Sequence, residues 1–382
     1  MLPKKFIPYS RQTIDAGDIK AVIKVLRSDY LTQGPTISAF EKKVATYCNV
    51  KHAVAFSSGT AALHGACFAA KIGVGDEVIT TPITFAASAN CILYVGGTPV
   101  FADIKKEYPL IDPQEIKKRI TKNTRAIIPV DYSGMPADYD EINALARKHN
   151  LIVIADAAHS LGATYKGKKV GALADMTVLS FHPVKSITTG EGGMVVTNHK
   201  NFYERLLLLR NQGITRDKKK LVNKTQGDWF YEMQELGFNY RLTDIQAALG
   251  LSQLEKIDKL IAARRNIIHK YDEAFKYLSK IKALDVPNNR TSAWHLYPIQ
   301  IKAQDKNRKH IFNKFHQIKI KVQVHYIPIH LHPYYQKEFG YKTGDYPNSE
   351  KFYREELSLP VFPKITKYEM QSVISATKKF LS

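Results

Sequence analysis

Residues 151–162 read Leu-Ile-Val-Ile-Ala-Asp-Ala-Ala-His-Ser-Leu-Gly and contain the strongest fold signal in the chain. The apolar run predicts a buried strand over Leu151–Ala155, and Asp156 follows it directly. Ligands of open α/β sheets bind beyond the carboxyl ends of parallel strands, where this carboxylate would lie. Two simpler interpretations remain open: Asp156 as the N-cap of a following helix, and His159 as an ordinary hydrogen-bonded side chain.

Short β-rich runs alternate with helical stretches around this segment, from residue 52 to about residue 200. The alternation predicts an α/β fold with a mostly parallel central sheet and helices on both faces. The other strands are expected at Ala53–Phe56, Glu77–Thr80, Pro99–Asp103, Ala126–Asp131, Met176–Phe181 and Met194–Thr197, and helices near 61–71, 84–95, 113–121 and 138–149.

The flanking regions predict an N-terminal segment and a smaller C-terminal α+β domain. Asp15 is expected to cap a first helix with Ile19, Val22, Ile23 and Leu26 on one face, and a second helix is expected over Ile37–Tyr47. A long helix starting near Thr243-Asp244 carries an apolar stripe to Phe275 and is interpreted as a spine joining two domains. Beyond it, strands are expected at Leu296–Ile301 and Lys321–Tyr326, and helices at Asn307–Gln317 and Ile365–Phe380. We therefore divide the chain into residues 1–250, the N-terminal segment and large domain, and residues 251–382, the spine helix and small domain.

The composition is that of a globular protein and excludes several classes. The 382 residues are 44% apolar, and no apolar run approaches the ~18 residues that span a bilayer. The first ten residues lack the apolar core of a secretory signal. The three cysteines, Cys48, Cys67 and Cys91, form neither a disulfide framework nor a metal-binding CxxC pattern. We therefore expect a cytoplasmic protein without a metal site.

The chain is strongly basic, with 56 Lys+Arg against 35 Asp+Glu and a net charge of +21. Such an excess is compatible with nucleic acid, an acidic membrane surface, a phosphorylated ligand or a merely lysine-rich composition. Lys218–Lys220 is the only dense run, within a polar stretch over residues 211–236 that predicts a surface excursion. A nucleic-acid-binding regulator is a distant alternative, because no zinc-finger, zipper or RNP-like pattern accompanies the charge.

A candidate anion site lies in Phe56-Ser-Ser-Gly-Thr-Ala-Ala-Leu-His64, where a strand ends and a helix begins. The free N–H groups and the dipole of a helix N-terminus attract an anion there. Gly59 allows close approach of the backbone, and Thr60 adds a hydroxyl donor. Taken alone, the segment is better explained as an ordinary capped helix, because helix N-termini are common.

A candidate reactive lysine lies in Ser180-Phe-His-Pro-Val-Lys185, followed by the glycine-rich Thr-Gly-Glu-Gly-Gly at 189–193. A lysine held at such a strand end can lose its proton and form an imine with a carbonyl group. A surface lysine is the simpler interpretation of Lys185 alone. About one strand–helix–strand unit separates Lys185 from Asp156, so both side chains can reach one crevice.

Together the three segments match the chemistry of pyridoxal 5′-phosphate (PLP). Its aldehyde requires a lysine, its pyridine nitrogen an acid, and its phosphate N–H and hydroxyl donors. Phe85, in Thr-Pro-Ile-Thr-Phe at 81–85, is a candidate for stacking on the ring. In this interpretation Asp156 keeps the ring nitrogen protonated and Lys185 is the general acid and base.

Further segments make the combination specific: Asp-Ala-Ala-His at 156–159, Glu-Gly-Gly at 191–193 and Gly-Phe-Asn-Tyr-Arg-Leu-Thr-Asp-Ile-Gln-Ala-Ala-Leu-Gly at 237–250. With Ser-Ser-Gly-Thr-Ala-Ala-Leu at 57–63 and the segments around Phe85 and Lys185, they resemble the DegT/DnrJ/EryC1/StrS family of sugar aminotransferases. The resemblance covers essentially the whole chain. It implies the PLP-dependent transferase fold of type I and a homodimer with shared active sites.

The resemblance also implies roles for individual residues. Lys185 is the catalytic residue that bonds to the cofactor. The implied cofactor-binding residues are Gly59, Thr60, Phe85, Asp156, His159, Ser180, Lys185 and Asn239, with Asn239 reaching the site of the neighbouring subunit. The implied substrate-binding residues are Tyr9, Asp29, Tyr30, Leu31, Thr32, Asn239, Gln323, Val324, His325 and Tyr326.

Within the family, the segments at 31–34, 130–134, 322–326 and 357–360 resemble enzymes of pseudaminic acid biosynthesis. These transfer the amino group of L-glutamate to C4 of a UDP-linked 4-keto-6-deoxy-N-acetylhexosamine, UDP-2-acetamido-2,6-dideoxy-β-L-arabino-hexos-4-ulose. The chain departs from their pattern at Ile327, where a lysine is common, at Val361-Phe362 and at Asn211-Gln-Gly213. An acceptor from another NDP-4-ketosugar pathway, such as that of UDP-bacillosamine or of a dTDP-sugar, is therefore the alternative.

Overall fold

The structure is a computed structural model that describes residues 5–223, 227–302 and 308–381. Its strands are β1 (His52–Phe56), β2 (Glu77–Thr80), β3 (Thr98–Phe101), β4 (Thr124–Ile128), β5 (Ile152–Asp156), β6 (Thr164–Tyr165), β7 (Lys168–Lys169), β8 (Met176–Ser180), β9 (Gly193–Thr197), β10 (Ile214–Thr215), β11 (Glu232–Met233), β12 (Ile281–Ala283), β13 (Arg290–Thr291), β14 (Tyr297–Ile301) and β15 (Glu356–Leu359). Its α-helices are α1 (Ala16–Leu26), α2 (Pro35–Cys48), α3 (Gly59–Ala69), α4 (Ala87–Tyr94), α5 (Pro113–Arg119), α6 (Tyr139–His149), α7 (Lys200–Arg210), α8 (Asp244–Leu254), α9 (Ile257–Phe275), α10 (Arg308–Gln317), α11 (Pro333–Phe339), α12 (Pro347–Glu355) and α13 (Lys367–Leu381).

Seven strands form the central sheet in the order β1-β9-β8-β5-β4-β2-β3. Only β9 runs antiparallel to its neighbours, so the predicted mostly parallel sheet is confirmed. Alternate residues enter different apolar cores: Ile127 and Val153 face one, whereas Ala126 and Ile154 face the other. Both faces of the sheet are therefore buried, which explains the near-continuous apolar runs of its strands.

A second, antiparallel sheet of β12, β14 and β15 supports a separate apolar core, which we call the C-terminal core. Helix α9 connects the two regions, because Ile257 and Ile261 pack in the core of the central sheet whereas Ile268 and Tyr271 pack in the C-terminal core. This arrangement agrees with the expected spine. The division between residues 250 and 251 stays a prediction and falls within α8.

The long helix predicted from Thr243 onward is wrong in one respect, because it is broken between α8 and α9. No Gly or Pro marks the break, which lies beside an ion pair of the tertiary structure. The Lys256 ammonium lies 2.6 Å from the carboxylate of Asp15 and 2.7 Å from that of Asp18. The predicted cap is confirmed, since Asp15 and Asp18 form a capping box at the start of α1. Asp18 is fully buried and also accepts a hydrogen bond from Gln253, at 2.7 Å.

Two further outcomes bear on function. The strand predicted over Lys321–Tyr326 is wrong: within this segment only Gln323 forms a β-bridge, with Ser358, and the other five residues belong to no strand or helix. The predicted apolar face of α1 is largely exposed, with Ile19 and Leu26 each 54% accessible.

Asn307, the predicted start of α10, lies outside the described residues. No helix in the described ranges is long and apolar enough to cross a membrane.

We predict that Lys256→Met destabilises the fold by about 3 kcal/mol, because it leaves the buried Asp18 carboxylate without its cation. Thermal unfolding of the full-length protein measures the effect as a lower Tm. Lys259→Met, at an exposed position one turn further along α9, is the matched control and should unfold like the wild type. Equal Tm values for the two variants would contradict this role of Lys256.

Candidate active site

A cavity of about 650 Å³ lies where the central sheet meets the C-terminal region. Its volume is within the range of small-molecule sites. Strands β5 and β8 end at it, and α3 begins at it. The predicted site residues that line it are Tyr9, Gly59, Thr60, Phe85, Asp156, His159, Ser180, Lys185, Gln323, Val324, His325 and Tyr326. The structure therefore brings the three sequence segments together in one crevice.

The start of α3 forms a polar cradle at one end of the cavity. Ser58 is the N-cap, and its hydroxyl accepts a hydrogen bond from the N–H of Ala61 at 3.1 Å. A Cβ atom at Gly59 would lie 3.1 Å from Cβ and 3.2 Å from Oγ of Ser180, so glycine allows these two elements to approach closely. First-turn N–H groups have no acceptor within their helix. With the Ser180 hydroxyl, they form a donor set suited to a phosphate.

Asp156 ends β5 and is 6% exposed. Its carboxylate accepts hydrogen bonds from Ser88 Oγ at 2.6 Å and from the N–H of Ala158 at 3.2 Å. Burial raises the pKa of Asp156, whereas these hydrogen bonds and the nearby Lys185 oppose the rise. A protonated ring nitrogen beside this carboxylate would stabilise its charged form.

His159 also lines the cavity, and its Nε2 is 3.1 Å from the hydroxyl of Tyr326. Burial lowers the pKa of His159 well below its ordinary value, so the ring is neutral at pH 7. Its Nδ1 is buried and has no hydrogen-bond partner among the described residues. The ring centroid of His295 is 4.2 Å away, and the Nδ1 of His295 is likewise unpartnered in the described part of the chain. These two unpartnered ring nitrogens are therefore available to a ligand in the cavity.

Lys185 lies in the loop that follows β8, and its side chain lines the cavity. Removal from water and, to a smaller extent, the charge of Arg264 lower the pKa of Lys185 to about 8, although Asp156 opposes this shift. A substantial fraction of the amine is consequently neutral and nucleophilic near physiological pH.

Aromatic rings border the cavity on the side of the C-terminal region. Phe85 is 62% exposed, and its centroid is 6.2 Å from that of Tyr326. The neighbouring His325 is buried, and its Nδ1 is 2.9 Å from the Ser358 hydroxyl. All four residues from Gln323 to Tyr326 line the cavity. The absence of a regular strand there leaves this segment available as a wall of the site.

The donor set of the cavity fits PLP. The α3 cradle suits its phosphate, the buried Asp156 its pyridine nitrogen, and the partly neutral Lys185 its aldehyde. The unpartnered Nδ1 of His159 and the exposed Phe85 ring supply a polar atom and an aromatic face for a flat heterocycle.

Five predicted residues do not line the cavity of their own chain: Asp29, Tyr30, Leu31, Thr32 and Asn239. All five are exposed. The Leu31 carbonyl accepts a hydrogen bond from the N–H of Asp244, and Asn239 forms a β-bridge with Asn211. Their binding roles stay predictions.

Sequence reasoning missed three residues that the structure places at or behind the site. Ser88 binds Asp156, and His295 lines the cavity. Arg264 donates hydrogen bonds to the backbone of the Lys185 segment. Ser88 lies three residues after Phe85, which is a usable signal for one helical turn. Nothing local marks Arg264, which in sequence is one of two adjacent arginines on an amphipathic helix.

Comparison with known proteins gives a consistent result along the whole chain. The model of the DegT/DnrJ/EryC1/StrS aminotransferase family matches residues 12–378. The UDP-4-amino-4,6-dideoxy-N-acetyl-beta-L-altrosamine transaminase of Campylobacter jejuni strain 81-176 is 40% identical over 98% of this chain and 99% of its own.

Two solved structures are similar over nearly their full lengths. One is Helicobacter pylori PseC, an aminotransferase involved in the biosynthesis of pseudoaminic acid, with a TM-score of 0.92 and 37% identity over 99% of both chains. The other is the PLP form of the putative sugar aminotransferase Spr1654 from Streptococcus pneumoniae. It has a TM-score of 0.89 and 30% identity over 99% of this chain and 100% of its own.

We predict that Ser88→Ala moves the acidic limb of PLP affinity to higher pH. The hydrogen bond from Ser88 stabilises the ionised form of Asp156, so its loss raises the Asp156 pKa further and the carboxylate is lost earlier as pH falls. A bond of about 1 kcal/mol corresponds to a shift of roughly 0.7 pH units. Dissociation constants for PLP measured as a function of pH test this shift.

Ser38→Ala, at an exposed position in α2, is the control and should retain the wild-type pH profile. An unchanged acidic limb in Ser88→Ala would show that the Ser88 hydroxyl does not tune Asp156.

Proposed function

Because the chain belongs to the DegT/DnrJ/EryC1/StrS aminotransferase family, we propose that it is a PLP-dependent nucleotide-sugar aminotransferase. The amino group of L-glutamate is transferred to C4 of a UDP-linked 4-keto-6-deoxy-N-acetylhexosamine, as in pseudaminic acid biosynthesis. The observation that carries the proposal is the convergence of Lys185, Asp156 and the start of α3 on one cavity. Similarity to the Campylobacter transaminase and to the Helicobacter aminotransferase supports the choice of acceptor.

The roles of the residues follow from their positions. When bound, PLP supplies an electron sink for the pair released as a C–H bond of the substrate breaks. Asp156 holds the proton on the ring nitrogen, and His159 offers a hydrogen bond to a polar group of the ring. The donors of Gly59, Thr60 and Ser180 bind the phosphate.

Lys185 performs the proton transfer. Its Nζ would hold the cofactor and, when free of it, would remove the proton from Cα of glutamate. In the second half of the reaction, the same Nζ delivers a proton to C4 of the sugar. Since donor and acceptor use the same lysine, they occupy one pocket in turn, and 2-oxoglutarate leaves before the ketosugar reacts.

We also propose that the working unit is a homodimer. The exposed apolar face of α1 and the exposed rings of Trp229 and Tyr231 are surfaces that a second copy can bury. Such packing would bring the exposed Asn239 and residues 29–32 of one subunit to the cavity of the other. This arrangement accounts for predicted site residues that lie outside the cavity of their own chain.

The identity of the nucleotide sugar is the finer part of the proposal. Ile327, at the position where a lysine is common, is 46% exposed and adds no positive charge for a diphosphate. Phe362, one of the other departures, is fully buried in the C-terminal core rather than at the cavity. Another NDP-4-ketosugar therefore remains the alternative acceptor.

The densest run of basic residues does not favour a nucleic-acid partner. In the run Lys218–Lys220, Lys218 pairs with Asp228 at 3.0 Å and Lys220 with Glu204 at 2.8 Å. Part of this positive charge is thus balanced within the protein itself.

We predict that the purified protein binds PLP with a visible absorbance band that Lys185→Ala abolishes, because the band requires a covalent bond to this amine. With L-glutamate and a panel of UDP- and dTDP-linked 4-ketosugars, the wild type should form a 4-amino sugar, identified by mass spectrometry and NMR. Lys185→Arg should fold normally and have no turnover, since its side chain remains protonated.

A wild-type protein that stays colourless with added PLP would refute the proposal. Amination of a dTDP-sugar but not of the UDP-sugar would preserve the reaction class and replace the acceptor.

We predict that two inactive variants, Lys185→Ala and Asn239→Ala, regain activity when their subunits are mixed. In a mixed dimer, the site with an intact Lys185 receives an intact Asn239 from the other subunit. Random exchange makes half of the dimers mixed, each with one complete site of two, so activity should approach about one quarter of wild type. Activity measured after co-refolding tests this expectation.

The matched control mixes Lys185→Ala with Asp156→Asn. Lys185 and Asp156 line the same cavity, so both must come from one chain. Here too a mixed dimer contains an Asp156 and a Lys185, but never in one site, so activity should stay absent. Equal results for the two mixtures would place Asn239 outside the partner's site.

A further inference from the structure

Arg264 is a buried cation that the proposed chemistry does not use. It lies in α9 and is 1% exposed, and burial lowers its pKa to about 10, so it stays protonated at pH 7. Among the described residues, its guanidinium forms no ion pair, its Nη1 and Nη2 donate only to backbone carbonyls, and its buried Nε has no partner. Burying an arginine without an anion costs several kcal/mol unless many of its donors are satisfied. The contacts of Arg264 therefore indicate which backbone segments it stabilises.

The carbonyl contacts of Arg264 link three segments around the proposed catalytic lysine. One guanidinium nitrogen, Nη2, donates to the carbonyl of Val184 at 3.1 Å and to that of Lys185 at 3.5 Å. The other, Nη1, donates to the carbonyls of Val361 at 3.1 Å, His295 at 3.3 Å and Trp294 at 3.4 Å. The guanidinium thus ties the loop after β8 to the segments before β14 and after β15.

We propose that Arg264 is a positioning residue for the amino transfer, which fixes the backbone of Lys185 against the C-terminal region. This inference rests on the proposed role of Lys185. The loop after β8 lies between the central sheet and the C-terminal core, and its lysine must stay aligned while its side chain moves a proton. Only the planar fork of arginine presents donors in both directions at once, whereas lysine offers one compact ammonium.

The charge of Arg264 has a second consequence, because it disfavours a proton on the nearby Lys185 amine. The titratable groups that line the cavity around Lys185 are Tyr9, Asp156, His159, His182, Glu191, His295, His325 and Tyr326. Of these, Asp156 raises the pKa of Lys185. Burial lowers the pKa of each of the four histidines, so they add little positive charge at pH 7. Arg264 is therefore the cation that offsets Asp156.

Two substitutions separate the two effects. Arg264→Met removes both the donors and the charge, and Arg264→Lys keeps the charge but loses the fork. Arg265→Met, at the exposed neighbouring position of α9, is the matched control. The first readout is the apparent pKa of Lys185 in the full-length chain without cofactor. It is obtained from the pH dependence of labelling by an amine reagent and quantified on the Lys185 peptide by mass spectrometry. The second is kcat and KM with glutamate and the ketosugar.

We expect Arg264→Met to raise the apparent pKa of Lys185 by about one unit, and Arg264→Lys to leave it near the wild-type value. Both variants should lose kcat by about tenfold or more, while KM for the sugar changes little, since misplacement of the reacting group acts on the chemical step. Arg265→Met should resemble the wild type in every readout.

The proposal is overturned if Arg264→Lys keeps a wild-type kcat, or if a folded Arg264→Met behaves like Arg265→Met. If Arg264→Met does not fold, Arg264→Lys decides alone: loss of kcat with an unshifted pKa supports the proposal, and a shift in pKa refutes it. These results are distinct from failure of the proposed function, in which wild type and Arg265→Met would themselves neither bind PLP nor produce an aminosugar.

Discussion

The parallel pairing of β5 with β8 is the constraint on which the site depends. Ile154, Ala155 and Asp156 lie opposite Met176, Thr177 and Val178, so the two strands reach the same edge of the sheet two residues apart. Asp156 is the last residue of one strand, and Ser180 the last of the other. Because Lys185 follows Ser180 by a short loop, a carboxylate and an amine that are distant in sequence become neighbours. The antiparallel strand β9 beside β8 then brings Gly193 next to Ser58 and Gly59, and with them the start of α3.

Burial shifts the pKa values of Asp156 and Lys185 in opposite directions. Removal from water disfavours charge, so it raises the pKa of Asp156 and lowers that of Lys185 toward the working pH. Each shift is opposed by a specific contact, which is the Ser88 hydrogen bond for Asp156 and the field of Asp156 for Lys185. A ligand with a protonated ring nitrogen would restore the charge of the acid while the amine remains available as a nucleophile. Burying these two groups costs folding stability but makes them reactive. This is usual where titratable groups with perturbed pKa values cluster in a cavity.

The C-terminal region completes the site rather than merely adjoining it. It contributes the four consecutive lining residues from Gln323 to Tyr326, and also His295. Helix α9 has its first half in the core of the central sheet and its second half in the C-terminal core, with Arg264 between them. Most of the excess positive charge has no such role. The proposed phosphate donors are neutral N–H and hydroxyl groups, so phosphate binding does not account for the net charge of +21.

The sequence alone determined the seven strands of the central sheet and the helices α3 to α6 between them, the mostly parallel pairing and the three segments that supply Lys185, Asp156 and the α3 cradle. The signals for these features are local in sequence, because apolar periodicity, caps and strand-end residues involve residues close together in the chain. Tertiary structure decided the break before α9, the irregular wall at residues 323–326 and the partners of Ser88 and Arg264. The break lies beside the ion pair of Lys256 with Asp15 and Asp18, and both Ser88 and Arg264 bind groups far away in the chain. Periodicity reports which face of an element is apolar, but not which distant group will meet a particular side chain there.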